Sequence, residues 1–174
     1  MAKHIFNILI SLALLMSVCK TADAQPVRPQ SSSENMVLSA VERYNDRDLE
    51  ASEALLSAVL ANDGTNDAAW YYLSMIAVEK KEMAEAEEFL RKACELDPDN
   101  YWYRYRLARL YAVTQRQELT ISMYEELLED FPKKSDLYFD MVELYAAQGE
   151  YEKALDTLKE IETVFGMTRS KSVV

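Results

Sequence analysis

The sequence predicts an all-α protein built from repeated helix pairs, and three observations lead to that prediction. Residues 67–100, 101–134 and 135–168 align without a gap as three units of equal length. Within each unit, apolar residues recur at helical spacing for about fourteen residues, stop at a short polar break and resume. The chain has only 3 Gly and 4 Pro in 174 residues, and 49% of its residues are hydrophobic. That composition is typical of a packed helical protein and not of a disordered one.

Short polar breaks and prolines mark where the helices of each unit end. The breaks fall near residues 81–82, 115–116 and 148–150, in the middle of each unit. Pro98 and Pro132 close two of the units, and proline cannot continue a helix because it lacks the backbone N–H. The third break contains a glycine, which suits a tight turn between paired helices. Each unit is therefore predicted to be a helix, a turn and a second helix.

Bulky and small residues occupy fixed places in the units, and this pattern carries a family resemblance. The residues in these places are Trp70, Leu73, Ser74, Ala77, Ala86, Leu90, Ala93 and Pro98; then Leu107, Ala108, Tyr111, Tyr124, Leu127 and Pro132; then Tyr138, Met141, Tyr145, Gly149, Tyr151, Ala154 and Leu158. The pattern resembles the tetratricopeptide repeat, although Arg104 replaces the usual Trp. Residues 33–66 form a weaker fourth copy, from which Ser52 and Gly64 depart. Terminal repeats are often atypical because one face has no neighbour.

The resemblance implies an α-α superhelix, a right-handed solenoid of about four helix pairs, with repeats at residues 33–66, 67–100, 101–134 and 135–168. In that family the first helix of each pair lines a concave groove, and the second helix forms the outer wall. The family's usual role is to bind peptides or partner proteins and not to catalyse reactions. We accordingly expect a non-enzymatic scaffold whose groove binds a peptide or a partner protein.

Two stripes of side chains share each first helix, because residues three and four apart lie on one face. In residues 101–111, one stripe falls on positions that the repeat pattern assigns to packing. That stripe is Tyr103, Leu107, Leu110 and Tyr111. The resemblance places the other stripe in the groove. Its members are Tyr71, Tyr72 and Met75 in the second unit, Trp102, Tyr105, Arg106 and Arg109 in the third, and Phe139, Asp140 and Glu143 in the fourth.

This groove stripe has both a binding and a packing interpretation. Tyr71, Tyr105 and Phe139 are each 34 residues apart, so they are expected to form a ladder of aromatic rings along the groove. Exposed aromatics beside arginines have the composition of binding hot spots. The alternative is that stacking half-buries the ladder, and that the two arginines only pair with the two carboxylates of the next unit.

The amino-terminal residues have the pattern of an export signal. Lys3 and His4 precede an almost continuous apolar run over residues 5–18. Ala22-Asp23-Ala24 then offers the small-x-small pattern after which signal peptidase cleaves. The apolar run is shorter than the ~20 residues that a transmembrane helix needs. We therefore expect an exported bacterial protein whose mature chain has no transmembrane span.

The predicted organisation is a signal peptide at residues 1–24, a flexible linker at 25–32, a repeat domain at 33–168 and a tail at 169–174. The expected location is the periplasm or the cell envelope. An alternative is a lipoprotein anchored through Cys19, although the preceding residue is a valine where such sites carry a small residue.

Composition excludes several classes of function. The net charge of −11 argues against a nucleic-acid partner, because phosphate binding needs an excess of Lys and Arg. The one histidine, His4, lies in the predicted signal peptide, so the mature chain has no histidine general base. Cys94 is expected to be a small core residue. Because clustered Cys/His ligands, calcium-loop patterns and glycine-rich phosphate loops are missing from the sequence, we expect no catalytic residue, no cofactor and no metal site.

Two other functions stay open, and both involve surfaces of the predicted solenoid. Tyr and Trp faces also stack on sugar rings, which would suit a glycan-binding accessory protein. A structural subunit of a cell-envelope complex would instead use the stacking ends. No polar-backed helix is predicted after the fourth unit, so the apolar side of the last pair is expected to be partly uncovered and available for self-association. Candidates for that uncovered side are Met141, Tyr145, Leu158, Ile161 and Phe165.

Overall fold

The computed structural model describes residues 32–166, which form eight α-helices and no strand. The helices are α1 (Ser32–Asn45), α2 (Leu49–Asn62), α3 (Asp67–Glu79), α4 (Met83–Leu96), α5 (Tyr101–Val113), α6 (Gln117–Asp130), α7 (Ser135–Ala147) and α8 (Tyr151–Val164). The predicted signal peptide and tail lie outside the described residues. So does the predicted linker apart from Ser32, which begins α1 one residue before the predicted start of the repeat domain.

The helices pack as four consecutive pairs, each corresponding to one predicted unit. Within a pair, α1 packs on α2, α3 on α4, α5 on α6 and α7 on α8. Between pairs, the second helix of one packs on the first helix of the next, and α1 also contacts α3 directly. The predicted all-α repeat solenoid is therefore confirmed, and the weak copy at residues 33–66 folds as a helix pair like the others.

A small residue at one place in each second helix allows the two helices of a pair to approach closely. Residues 52, 86, 120 and 154 are spaced 34 apart and are Ser, Ala, Thr and Ala, and all four are buried. Ser52 departs from the family pattern because it carries a hydroxyl. That hydroxyl donates a hydrogen bond of 2.8 Å to the carbonyl oxygen of Ala40 on α1, so the buried polar group is satisfied.

The turn inside each pair contains one residue with a left-handed backbone conformation. Arg47, Lys81, Gln115 and Gly149 are spaced 34 apart and have φ values of 65°, 64°, 61° and 76°. In each turn the next backbone N–H donates to a carbonyl five residues earlier, a bond that closes the end of the first helix. Only the fourth turn has a glycine, so the other three side chains each cost roughly 1 kcal/mol or more of local strain.

At the carboxy-terminal end of the solenoid, fewer of the predicted apolar residues are exposed than the sequence suggests. Met141, Tyr145 and Ile161 are buried, which corrects the expectation that they would be uncovered. Met141 and Tyr145 belong to the core that α5, α6, α7 and α8 share. Leu158 is 39% exposed, as predicted, and Phe165 is half-buried with its ring edge-on to Tyr138. The other large apolar residues exposed on α8 are Tyr151 and Leu155.

Candidate functional site

The first helices of the pairs form a common surface, which we call the inner face. Between α1, α3 and α5 this surface contains a cleft of about 230 Å³, which we call the first groove cleft. Its lining is Tyr44, Ser74, Met75, Val78, Glu79, Leu90, Arg106, Arg109, Leu110 and Val113. The apolar members come from α3, α4 and α5, and the charged members lie at its edge.

A second groove cleft of about 340 Å³ continues the inner face between α5 and α7. Its lining is Arg109, Ala112, Val113, Tyr124, Asp140, Glu143, Leu144 and Ala147. Arg109 and Val113 line both clefts, so the two clefts are neighbours along one surface. The structure thus brings Met75, Arg106, Arg109, Asp140 and Glu143 of the predicted groove stripe onto the walls of these clefts.

Tyr105 is buried, contrary to the separation of the two stripes that the sequence suggests. Its side chain is only 9% exposed and belongs to the core between the third and fourth pairs. The Tyr105 ring stacks on the Tyr101 ring, with centroids 5.5 Å apart and planes 9° apart, and packs near Tyr124 at 6.4 Å. The covering groups come from α6 and α7, which an analysis of one isolated helix does not include.

The hydroxyl of Tyr105 belongs to a polar network that joins three helices. Tyr105 donates to Oδ2 of Asp140 at 2.8 Å, and Tyr124 donates to the same oxygen at 3.1 Å. Arg109 donates to the Tyr105 hydroxyl at 3.2 Å and lies 3.8 Å from Asp140. Burial raises the pKa of both tyrosines, so their hydroxyls stay protonated and donate at neutral pH. The network therefore stabilises the contact of α5 with α6 and α7.

The two arginines of the groove stripe have different surroundings. Arg109 is engaged by the network just described. Arg106 is exposed at the edge of the first groove cleft and forms no ion pair within residues 32–166. The nearest carboxylate in that cleft belongs to Glu79, which pairs with Arg47 at 3.2 Å and accepts a hydrogen bond from Tyr44 at 3.4 Å. The packing interpretation thus applies to Arg109. The guanidinium of Arg106 remains accessible to a ligand in the first groove cleft.

The aromatic ladder does not form a continuous stack along the inner face. Tyr71 is half-buried and packs on Tyr103, with ring centroids 4.9 Å apart. Tyr72 packs edge-on against Tyr71 and Tyr44. The other two aromatic residues of the groove stripe are largely exposed, Trp102 at 53% and Phe139 at 54%. The predicted stripe therefore separates into buried rings that join the pairs and exposed rings at two places on the surface.

Seven residues that line the first groove cleft were not in the predicted stripe. They are Tyr44, Ser74, Val78, Glu79, Leu90, Leu110 and Val113, of which Val78, Glu79 and Val113 lie one helical turn beyond Met75 or Arg109. Continuing the same spacing of three to four residues past Met75 and Arg109 would have found Val78, Glu79 and Val113.

Neither Asp140, which lines the second groove cleft, nor Cys94, which lines neither groove cleft, is arranged as a reactive group. Asp140 is held by two tyrosine hydroxyls, and burial keeps those hydroxyls protonated. Cys94 is half-buried on α4, and burial raises the pKa of its thiol to about 11. A thiol with that pKa is not a thiolate at neutral pH, so it is a poor nucleophile.

Comparisons with known protein families agree with the helix pairs. The tetratricopeptide repeat family matches at residues 38–101, 103–134 and 119–163, which together leave only residue 102 unmatched between 38 and 163. The chain therefore belongs to the tetratricopeptide repeat family, whose fold is a scaffold for protein or peptide partners.

Individual proteins similar to this chain include one curated relative and two solved structures. Cellulose synthase operon protein C of Pseudomonas fluorescens (strain SBW25) is 28% identical over 88 residues, which are 51% of this chain and 7% of that protein. The chain thus spans less than a tenth of that relative. A crystal structure of MamA protein superposes with a TM-score of 0.70 at 17% identity, covering 82% of this chain and 78% of that one. YrrB, described as a TPR protein with an unusual peptide-binding site, superposes with a TM-score of 0.63 at 19% identity, covering 74% and 66%.

None of the helices within residues 32–166 has both the length and the hydropathy to cross a bilayer.

Burial of Tyr105 predicts that its truncation destabilises the fold. Tyr105→Ala removes a ring that packs on two others and one donor to Asp140, so we expect the free energy of unfolding to fall by roughly 3 kcal/mol or more. Phe139→Ala is the matched control, because Phe139 has the equivalent place one unit later but is exposed, and it should cost about 0.5 kcal/mol or less. Urea unfolding followed by circular dichroism measures both. Equal effects of the two substitutions would contradict the difference in burial.

Proposed function

We propose that this chain is an exported, non-enzymatic scaffold that binds a peptide or a segment of a partner protein on its inner face. The first groove cleft carries this proposal, because the exposed guanidinium of Arg106, which forms no ion pair within residues 32–166, borders an apolar pocket there. The leader pattern in residues 1–24 supports export, with anchoring through Cys19 as the alternative. Asp140 already accepts hydrogen bonds from Tyr105 and Tyr124, and the raised pKa of the Cys94 thiol makes it a poor nucleophile. Both observations support a binding role over a catalytic one.

The lining of the first groove cleft indicates which peptide features it would bind. Met75, Val78, Leu110 and Val113 form apolar walls, and both Val78 and Val113 are substantially exposed. An apolar side chain in this cleft would remove that surface from water. The guanidinium of Arg106 stands at the edge, where it can form a charge-assisted hydrogen bond to a carboxylate. We therefore expect the bound segment to place an acidic group next to an apolar side chain.

Selection of peptides from a random display library on the purified chain tests this proposal. The selected sequences should share an acidic residue or a free carboxyl terminus adjacent to an apolar residue. Arg106→Ala should weaken the best peptide about tenfold or more in isothermal titration calorimetry, a loss of about 1.4 kcal/mol. Arg43→Ala is the matched control, since Arg43 is exposed on α1 and forms no ion pair within the described residues, and it should change affinity less than about twofold.

Selected peptides without acidic groups would contradict the proposed role of Arg106. So would equal losses from Arg106→Ala and Arg43→Ala, because the cause would then be the net charge of the chain and not the cleft.

We also propose that the carboxy-terminal end of the solenoid binds a second copy of this chain. Leu56, Leu90 and Tyr124 have the same place in the first three units, where the next pair buries them to 0%, 2% and 2% exposure, whereas Leu158 is 39% exposed. Tyr151 and Leu155 extend this apolar surface along α8. The corresponding outward side of α1 is polar and exposed. Its residues are Asn35, Ser39, Glu42 and Arg43. Head-to-tail stacking is therefore unfavourable, and two α8 surfaces would meet around a two-fold axis.

Sedimentation equilibrium of the purified chain tests this second proposal. We expect a monomer–dimer equilibrium that Leu155→Glu shifts at least about tenfold toward the monomer, because a buried unpaired carboxylate is costly. Leu119→Glu places the same charge at an exposed leucine of α6 and should leave the equilibrium unchanged. A chain that stays monomeric at all concentrations, or an equal effect of both substitutions, would contradict it.

A further inference from the structure

A third cleft lies among the last three helices, α6, α7 and α8. We call it the outer cleft; its volume is about 550 Å³ and it lies between α6 and α8. Its floor is formed by α7 through Tyr138, Met141 and Tyr145. The cleft opens here because α6 approaches α7 less closely than α2 approaches α3 or α4 approaches α5. None of the residues of the two groove clefts lines it.

Carboxylates stand on both walls of the outer cleft. Glu125 and Glu129 come from α6, and Asp156 and Glu160 come from α8. Within residues 32–166, three of the four form no ion pair, and Asp156 pairs with Lys159 at 2.7 Å. The single basic residue of the lining, Lys153, forms an ion pair with Glu150, in which Nζ and Oε2 are 2.5 Å apart. The walls therefore keep an excess of negative charge above an aromatic floor.

The equivalent junction one unit earlier contains three arginines. Arg104 reaches from α5 to Asp130 and lies 4.0 Å from Glu126, with its side chain only 16% exposed. Arg91 donates to the Tyr111 hydroxyl at 3.3 Å. Arg116 lies over the Tyr111 ring at 4.3 Å and pairs with Glu87 at 2.7 Å. Three arginines thus join α4, α5 and α6 through carboxylates and a tyrosine ring.

All three arginines are replaced in the last unit. The residues 34 positions later are Glu125, Tyr138 and Glu150, in place of Arg91, Arg104 and Arg116. Tyr111 has a tyrosine equivalent in Tyr145, and Glu126 has an acidic equivalent in Glu160. The other two acceptors, Glu87 and Asp130, are replaced by Ile121 and Val164. The last unit therefore keeps the ring surface and one of the three acceptor carboxylates, gains Glu125, and has no arginine at these three places.

The floor of the outer cleft already accepts a cation. The amino group of Lys153 lies 5.4 Å from the centre of the Tyr145 ring, within the range of a cation–π contact. Burial, followed by the charge of Glu125, raises the pKa of Tyr145, so the carboxylate of Glu125 acts on the same ring. A cation above this ring would be attracted by both groups.

We propose that the outer cleft binds an arginine-containing basic segment of a partner protein, whose guanidinium groups pair with the carboxylates of Glu125, Glu129 and Glu160 beside the Tyr145 ring. Arginine suits the site because a guanidinium both stacks on an aromatic ring and forms two parallel hydrogen bonds to a carboxylate. This site is separate from the inner face, and it selects the opposite charge.

Fluorescence anisotropy of the full chain with a short labelled peptide of alternating arginine and leucine tests the proposal at physiological salt. The peptide should bind, and its counterpart with glutamate in place of arginine should not. Glu125→Arg should weaken binding at least about tenfold, because it returns the arginine of the preceding unit and removes a carboxylate. Glu88→Arg is the matched control, since it makes the same charge change at an exposed residue of α4 outside the cleft, and it should change affinity less than about twofold.

Two further results would overturn the proposal. Equal losses from Glu125→Arg and Glu88→Arg would mean that the peptide is attracted by the net negative charge of the chain and not by this cleft. A loss of binding in Arg106→Ala would place the basic peptide on the inner face. Circular dichroism of each variant shows whether it is folded. If Glu125→Arg is not folded, Glu125→Gln replaces it in the test, because glutamine keeps the shape of the side chain and removes its charge. Glu125→Gln should weaken binding by several-fold.

Discussion

Every feature of this molecule depends on burial between neighbouring helix pairs. A single pair of thirteen- or fourteen-residue helices leaves one apolar side open to water, and only the next pair covers it. Leu56, Leu90 and Tyr124 are buried in this way, while Leu158 at the end is not. The small residues at positions 52, 86, 120 and 154 bring the helices of each pair close enough for this stacking to repeat without change of register.

The strict spacing of 34 residues also determines where polar and charged side chains lie on the surface. Because equivalent residues occupy equivalent places, one substitution can replace a group that is paired within the protein by a group of opposite charge. Arg91 is tied to a tyrosine hydroxyl within the protein, and Glu125 in the next unit is a carboxylate without an ion pair in the described part of the chain. The same comparison separates Arg109, which is engaged by Tyr105, from Arg106, which has no ion pair in residues 32–166. The inner face therefore carries the exposed guanidinium of Arg106, and the outer cleft carries an excess of carboxylates.

The fold could be predicted from the sequence because its signals are local and repeated. Helical spacing, proline positions and the phase of small residues all lie within one unit, and four copies repeat them. The site was only partly predictable. Tyr105 occupies the same place as the exposed Phe139, and its burial results from Tyr101, Tyr124 and Asp140, which are brought to it by packing and not by spacing along one helix. The outer cleft was missed for a related reason, since its walls come from α6 and α8, two helices that are not neighbours along the chain.

Site-specific photo-crosslinking in the native cell tests most directly whether the inner face is the binding surface. A benzophenone amino acid at Val113 would stand at the edge of both groove clefts, where the native side chain is 67% exposed. The same group in place of Glu88 would lie on the exposed side of α4. If the inner face binds the partner, a discrete crosslinked product forms from position 113 and none forms from position 88. The same product from both positions, or a product from position 88 alone, would contradict this expectation.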